Sequence, residues 1–178
     1  PATTPASPDG GEAHRSGSSF NFEQFQRWYR QAGTPNLKIQ RQWDGDQGRL
    51  EIRVQQHTPP TPGQSQKQPL VIPLAIGLID SAGAPLLPHL DGETSAEASA
   101  AVLDPLRWGQ LTRLLVLCDA DQRFVFQGLP RQAHPPSLSL LRHFSAPVRL
   151  DIGRPAAELV HLFTDRKSTR LNSSHANI

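Results

Sequence analysis

Apolar and polar positions alternate with a period of two over much of the chain. Leu37, Ile39 and Trp43 alternate with Lys38, Gln40 and Gln42; residues 44–48 (Asp-Gly-Asp-Gln-Gly) read as a turn; Leu50, Ile52 and Val54 then alternate with Arg49, Glu51, Arg53 and Gln55. This predicts a hairpin with one wet face. Residues 57–69 hold four prolines and no apolar period, so they read as a surface loop. Residues 70–79 are almost continuously apolar, the signature of a buried strand, with Pro73 marking an edge or a bulge. A turn at 80–83 leads into a short extended piece ending near Leu87. Residues 90–110 carry weak signals and read as a loop or insertion, small and polar over 92–101, with Trp108 isolated after Pro105. Residues 111–117 give an apolar strand, 119–121 a turn, and 123–126 its hairpin partner. After a loop at 130–136, residues 137–144 and 147–152 are two more extended stretches joined at Ser145-Ala146. Short strands with turn signals between them predict an all-β sandwich or barrel.

Helical spacing occurs only at the flanks. Asn21 is a good N-cap with Gln24 three residues on, and Phe22, Phe25, Trp28 and Tyr29 form one stripe until Gly33 and Pro35 stop the run. The expected element is a short amphipathic helix over residues 21–31. A stripe of four rings must dock on something, and a core is the ordinary destination of periodic aromatic residues; a partner-binding surface is the alternative. Pro155 followed by Leu159, Val160, Leu162 and Phe163 predicts the first turns of another helix, cut short. Residues 1–19 are Pro, Gly, Ser, Thr and Ala with almost nothing apolar, a composition expected to be disordered, and they lack the basic start and apolar middle of a signal peptide.

Composition narrows the function classes. A chain of 178 residues is long enough for one domain with a real core. Its single cysteine excludes an internal disulfide framework and multi-Cys zinc modules, and Cys118 is expected in the core. No apolar run approaches the roughly 18–20 residues of a membrane span. The sequence opens Pro1-Ala2 and contains no Met, which suggests a processed chain or a fragment.

Sites of catalysis leave motifs in a sequence. None of the seven His is followed by Glu, so there is no H-E-x-x-H; no phosphate loop, dinucleotide fingerprint or G-x-S-x-G occurs; and Cys118 has no base beside it. His134 and His143 match no usual metal spacing. Asp44/Asp46 and Asp119/Asp121 lack the remaining ligands of a calcium loop and read as turn residues. No catalytic, metal-binding or cofactor-binding residue is therefore expected in this chain.

The motifs that remain are those of one family. Residues 25–35 (Phe-Gln-Arg-Trp-Tyr-Arg-Gln-Ala-Gly-Thr-Pro), 56–62 (Gln-His-Thr-Pro-Pro-Thr-Pro), 67–78, 123–126 and 144–150 follow one another in an order that resembles the bacterial aminopeptidase N family, the alanyl aminopeptidases of the gluzincin zinc peptidases, over about residues 21–163. The resemblance implies an immunoglobulin-like β-sandwich at residues 36–152. It makes residues 20–35 the last helix of the preceding catalytic domain and residues 153–164 the start of a C-terminal helical domain. Phe22, Phe25, Trp28 and Tyr29 then form a structural interface with the rest of the parent chain. The family's zinc ligands, its G-x-M-E-N motif and its transition-state tyrosine have no counterpart here. Zinc and peptide substrate are implied for the full-length enzyme only, and the expected partners are the catalytic and helical domains of the same chain, in the cytoplasm. Two stretches depart from the pattern: residues 94–101 look longer than the family's loop, and residues 1–19 do not match the helix expected there.

Residues 165–178 (Asp-Arg-Lys-Ser-Thr-Arg-Leu-Asn-Ser-Ser-His-Ala-Asn-Ile) resemble one reading frame of a sequencing-library adapter. This changes the meaning of the charge. The chain holds 18 Lys+Arg against 16 Asp+Glu, and its pI is about 9.2. The tail contributes Asp165 against Arg166, Lys167 and Arg170, so taking it away leaves 15 of each sign. The only compositional hint of a nucleic-acid or membrane partner goes with it, and neither is expected. The sequence thus points to a non-catalytic immunoglobulin-like piece of a zinc aminopeptidase, with a free-standing β-sandwich binding module as the alternative.

Overall fold

The computed structural model describes residues 22–87, 89–103 and 111–153. The sequence expectations for residues 1–19, Asn21, Trp108, the helix after Pro155 and the tail at 165–178 lie outside the described residues.

Two sheets enclose one core. Strands β1 (Asn36–Asp44), β2 (Arg49–His57), β8 (Asp121–Gln127), β5 (His89–Leu90) and β10 (Arg149–Ile152) form the first, in the order β10-β1-β2-β8-β5. The second runs β4-β3-β7-β6, with β3 at Ile72–Ile79, β4 at Pro85–Leu86, β6 at Val102–Leu103 and β7 at Thr112–Leu117; β9 (Ser137–Leu140) also pairs with β3. The predicted hairpin is β1–β2, in register from Asn36 opposite His57 to Asp44 opposite Arg49. Its turn is held by the Asp44 carboxylate, whose Oδ1 accepts the amides of Asp46 (3.1 Å) and Gln47 (3.0 Å). Gly48, at φ +62°, sits where a Cβ would lie 2.1 Å from the Leu129 carbonyl, so no other residue closes this turn against the neighbouring loop.

Leu37, Ile39, Leu50, Ile52, Val54 and Phe126 of the first sheet face Ile72, Leu74, Ile76, Leu78, Leu115, Leu117, Leu138 and Leu140 of the second, all buried. This is the sandwich arrangement, two inner faces interdigitating, and not a closed barrel.

Five sequence expectations are corrected. The run at 111–117 and the run at 123–126 are not hairpin partners: β7 lies in the second sheet and β8 in the first, so residues 118–120 carry the chain across the sandwich. Two strands burying alternate residues in one core look alike whether they pair or face each other. The crossing is tied by Gln122, whose Oε1 accepts the amide of Cys118 at 2.9 Å, and Cys118 is half-buried rather than in the core. Residues 92–101 are not featureless: Thr94 and Glu97 form a capping box that starts helix α3 (Ser95–Ala100). Hydrogen bonds from the Thr94 backbone and side chain hold the Glu97 carboxyl below its ordinary pKa. The extended stretch predicted to Phe144 stops at Leu140, because Leu141, His143 and Phe144 adopt left-handed φ of 51°, 58° and 54° around a short 3₁₀ turn. The aromatic helix, finally, is two single turns, α1 (Phe22–Phe25) and α2 (Arg27–Arg30), separated at Gln26.

Candidate functional site

The four aromatic residues proposed as an interface do not share one environment. Trp28 packs against the core, and its indole Nε1 donates to the Val71 carbonyl at 2.7 Å. Phe25 is half-buried and meets Tyr29 edge-on, with ring centroids 6.4 Å apart. Phe22 and Tyr29 are 61% and 83% exposed. The same helical turns therefore dock on the sandwich through one residue of the stripe and present two others to solvent.

Polar side chains fix this docking. Gln24 Nε2 donates to the Cys118 carbonyl at 2.5 Å, and Arg27 Nη1 to the Pro69 carbonyl at 2.6 Å. At the C-terminal end the proline-rich loop takes over. The Lys67 ammonium donates to the Ala32 carbonyl (2.8 Å), Thr61 Oγ1 (2.7 Å) and Gln64 Oε1 (2.8 Å), while Gln64 Nε2 donates to the Arg30 carbonyl at 2.7 Å. A cation and an amide at the carbonyl end of a helical turn satisfy acceptors that otherwise have no partner. Gln31 and Gln68 add a reciprocal pair, at 3.1 and 2.8 Å. The loop at 57–69 is thus a clamp on α2, a role its composition did not disclose.

Two open clefts lie among the described residues. An open cleft of about 430 Å³ beside the clamp is lined by Arg27, Arg30, Gln31, Gln64 and Gln68, and another of about 820 Å³ by Trp43, Asp44, Asp46, Arg131 and Gln132; neither lining contains a His or a Cys. Asp121 receives Arg53 Nε on Oδ1 at 2.8 Å and Gln55 Nε2 on Oδ2 at 3.0 Å. These contacts, the Arg53 hydrogen bond foremost, hold the Asp121 carboxyl below its ordinary pKa and raise that of Arg53. His89 Nε2 lies 2.6 Å from the Glu93 carbonyl oxygen. Partial burial, then the charge of Arg142, push the His143 imidazole below its ordinary value. No three His, Cys, Asp or Glu side chains gather in a metal-binding group among the described residues, so those residues do not fit the zinc that the family implies.

A different set of residues stands out once the sheets are assembled. Arg142 is 2% exposed and crosses β3 at Gly77, where a Cβ would lie 1.9 Å from its Cζ. Its Nε donates to Ser139 Oγ (3.1 Å) and its Nη1 to Thr112 Oγ1 (3.0 Å) and the Leu111 carbonyl (3.3 Å). Two residues after it, Phe144 is 62% exposed, and on β7 Leu114 is 40% exposed. Sequence reasoning missed this face, although a signal was present: β3 and residues 114–117 of β7 are apolar without alternation, so both of their faces call for cover.

The family of immunoglobulin-like domains described as "Domain of unknown function (DUF3458) Ig-like fold" matches residues 33–153, the sandwich just described. Aminopeptidase N of Haemophilus influenzae is 32% identical over 159 residues, which cover 88% of this chain and 16% of that protein; Aminopeptidase N of Escherichia coli is 32% identical over 142 residues, 79% of this chain and 14% of that protein. The chain thus spans about one sixth of the length of these relatives. The crystal structure of Legionella pneumophila aminopeptidase A in complex with aspartic acid matches with a TM-score of 0.57 at 21% identity, over 86% of this chain and 14% of that one, a likeness of fold. No helix among the described residues is long and apolar enough to cross a membrane. The chain belongs to the Ig-like DUF3458 family, the kind of domain it shares with bacterial aminopeptidase N.

Proposed function

We propose that this chain is a non-catalytic immunoglobulin-like piece of a longer zinc aminopeptidase, and that its work is to hold neighbouring domains of that polypeptide in register. The observation that carries the reading is the extent of the likeness: nearly the whole chain matches about one sixth of Aminopeptidase N. In this reading residues 20–35 close the catalytic domain, residues 153–164 open a helical one, and residues 165–178 are foreign to the protein. Phe22, Phe25 and Tyr29 face the catalytic domain, while Trp28 anchors the helical turns to the sandwich. A cytoplasmic setting belongs to the same proposal.

The test is to express the longer polypeptide from the same locus and assay release of N-terminal residues from peptides, with and without a chelator. Turnover by the longer chain that the chelator abolishes, and none by the 178-residue chain, is the expected result. Turnover by the short chain at the level of a metallopeptidase would overturn it.

A further inference from the structure

Arg49, Arg53, Arg113 and Arg123 each meet a carboxylate. Around the cleft of about 430 Å³ between α2 and the proline-rich loop that pattern breaks. Arg27 and Arg30, three residues apart and so neighbours on one side of α2, both line it, and Lys67 bonds to Gln64 at its edge. None of the three cations has a carboxylate partner among the described residues, and no acidic side chain lines the cleft. Arg27 gives Nη1 to the Pro69 carbonyl and Arg30 gives Nη2 to Gln26 Oε1 at 3.2 Å, which leaves most of the five N–H groups of each guanidinium unused.

The opposite wall is built by a tight turn. Thr61 and Gln64 exchange backbone hydrogen bonds of 3.1 and 2.9 Å around Pro62-Gly63, with Gly63 at φ +77°, the residue and backbone that the third position of a type II turn requires. The amides of Gly63, Ser65 and Gln66, all residues of the cleft, donate to no group among the described residues. Carbonyls nearby are treated differently: those of Arg30, Ala32, Gln68 and Pro69 are taken by Gln64, Lys67, Gln31 and Arg27. Oxygens that would repel an anion are thus occupied, while N–H donors remain. The same bonds fix the loop to α2, so the two walls are set in place before anything binds.

We propose that this cleft binds a small polyanion of the oligophosphate class, its oxygens held by the Arg27 and Arg30 guanidiniums and by the loop amides of Gly63, Ser65 and Gln66. Guanidinium forks match two oxygens at once, and unpaired backbone amides of a turn are anion donors in their own right. Size and lining narrow the class. The cleft has room for more than one phosphoryl group, and its walls hold no aromatic or aliphatic side chain on which a base or an acyl chain could rest. A bare phosphoryl chain therefore fits better than a nucleotide or a lipid. Peptidase chemistry takes no part in this site, so it stands or falls separately from the reading of the chain as a piece of an aminopeptidase.

Calorimetric titration with sodium tripolyphosphate at low salt, in the 178-residue chain and in the longer polypeptide, tests the site. Saturable binding that weakens as salt rises is expected, tighter than that of orthophosphate or citrate. Arg30→Gln, which removes an exposed side chain bonded only to Gln26, should weaken it about tenfold or more. Arg27→Lys, which keeps the charge and a donor for Pro69 but not the fork, should weaken it by a smaller factor. Arg123→Gln, at a side chain 64% exposed on the first sheet, is the control and should change nothing. Amide NMR shifts of the 178-residue chain on titration should centre on Gly63, Ser65 and Gln66. Absence of saturable binding, equal weakening by Arg123→Gln, citrate binding as tightly as tripolyphosphate, or shifts centred on the basic tail at 166–170 would each overturn the proposal. So would binding that the longer polypeptide lacks, since Arg27 and Arg30 would then be answering carboxylates of the protein itself.

Discussion

Two arginine–carboxylate pairs show how differently the two halves of this domain use charge. Arg53 and Asp121 meet on the outer face of the first sheet with side chains 39% and 36% exposed, joined to a lattice that includes Arg49–Glu51 at 3.5 Å and Arg123–Glu51 at 3.7 Å. Arg113 and Glu93 meet on the second sheet with exposures of 2% and 14%; Arg113 Nη1 donates to Glu93 Oε2 at 2.8 Å, and the same oxygen accepts the Leu90 amide at 3.0 Å. Surface pairs exchange water for each other at little net gain, whereas a buried pair has already lost its water and depends on its partner. Charge on the first sheet keeps a face wet. On the second it fastens loops, Glu93 before α3 and Arg142 after β9, onto strands β3 and β7, whose own outward positions carry no ionisable side chain.

The largest effect is expected where the second sheet tolerates least. In Gly77→Ala the new Cβ falls 1.9 Å from Arg142 Cζ. The guanidinium must leave Ser139 and Thr112, so a buried charge loses hydrogen bonds, at a cost of about 4–5 kcal/mol. Gly153→Ala, where nothing lies within 4 Å, serves as the control and is expected to be silent. Urea midpoints read both. Adding Arg142→Ala to Gly77→Ala should cost less than the two single losses combined, since both act on one contact; strict additivity would show that Arg142 does not sit over Gly77.

Glu93→Gln comes next. It keeps the volume and removes the charge facing Arg113, for an expected loss of about 3 kcal/mol. A change as small as that of a typical surface substitution would erase the contrast between the two pairs.

How much of this could be read from the sequence follows the same division. The first sheet was legible because its strands alternate: β1, the turn at 44–48 and β2 emerge from residue order alone, and the family motifs pointed to the sandwich. The second sheet was legible only as burial. A strand apolar on both faces discloses neither its neighbours nor its orientation, so β7 and β8 read as a hairpin although they lie in different sheets. The Thr94/Glu97 capping box was present in the sequence and was masked by the small polar residues around it. The turn at 141–144 had no local signal, because Leu141, His143 and Phe144 are not residues that choose left-handed backbone; packing of Leu141 and Arg142 imposes it. Nor did helical spacing show that Trp28 would turn inward while Phe22 and Tyr29 remained outside, since a stripe gives a face but not what covers it.

A third prediction uses that turn. Phe144→Asn places a residue that tolerates left-handed backbone at φ 54° and removes an exposed ring, so the 178-residue chain should gain about 1 kcal/mol. Thermal midpoints check this; an unchanged or lower midpoint would mean that the left-handed backbone at 144 costs phenylalanine no more than asparagine.

The smallest effect belongs to the charged face, and its sign follows from Asp121. The Arg53 hydrogen bond lowers the Asp121 pKa in the folded chain, so folding favours the ionised form. That contribution is present above the unfolded aspartate value of about 3.9 and is lost as pH falls through the lower folded one. Asp121→Asn should therefore leave stability at pH 7 close to wild type and flatten its decline below about pH 4, with the difference shrinking in high salt because both side chains are open to solvent. Urea midpoints from pH 7 to pH 2, at low and high salt, measure it. An unchanged acid limb would mean that Arg53 holds Asp121 no more tightly than water does, and a large loss at pH 7 would mean that the first sheet, like the second, relies on its ion pairs.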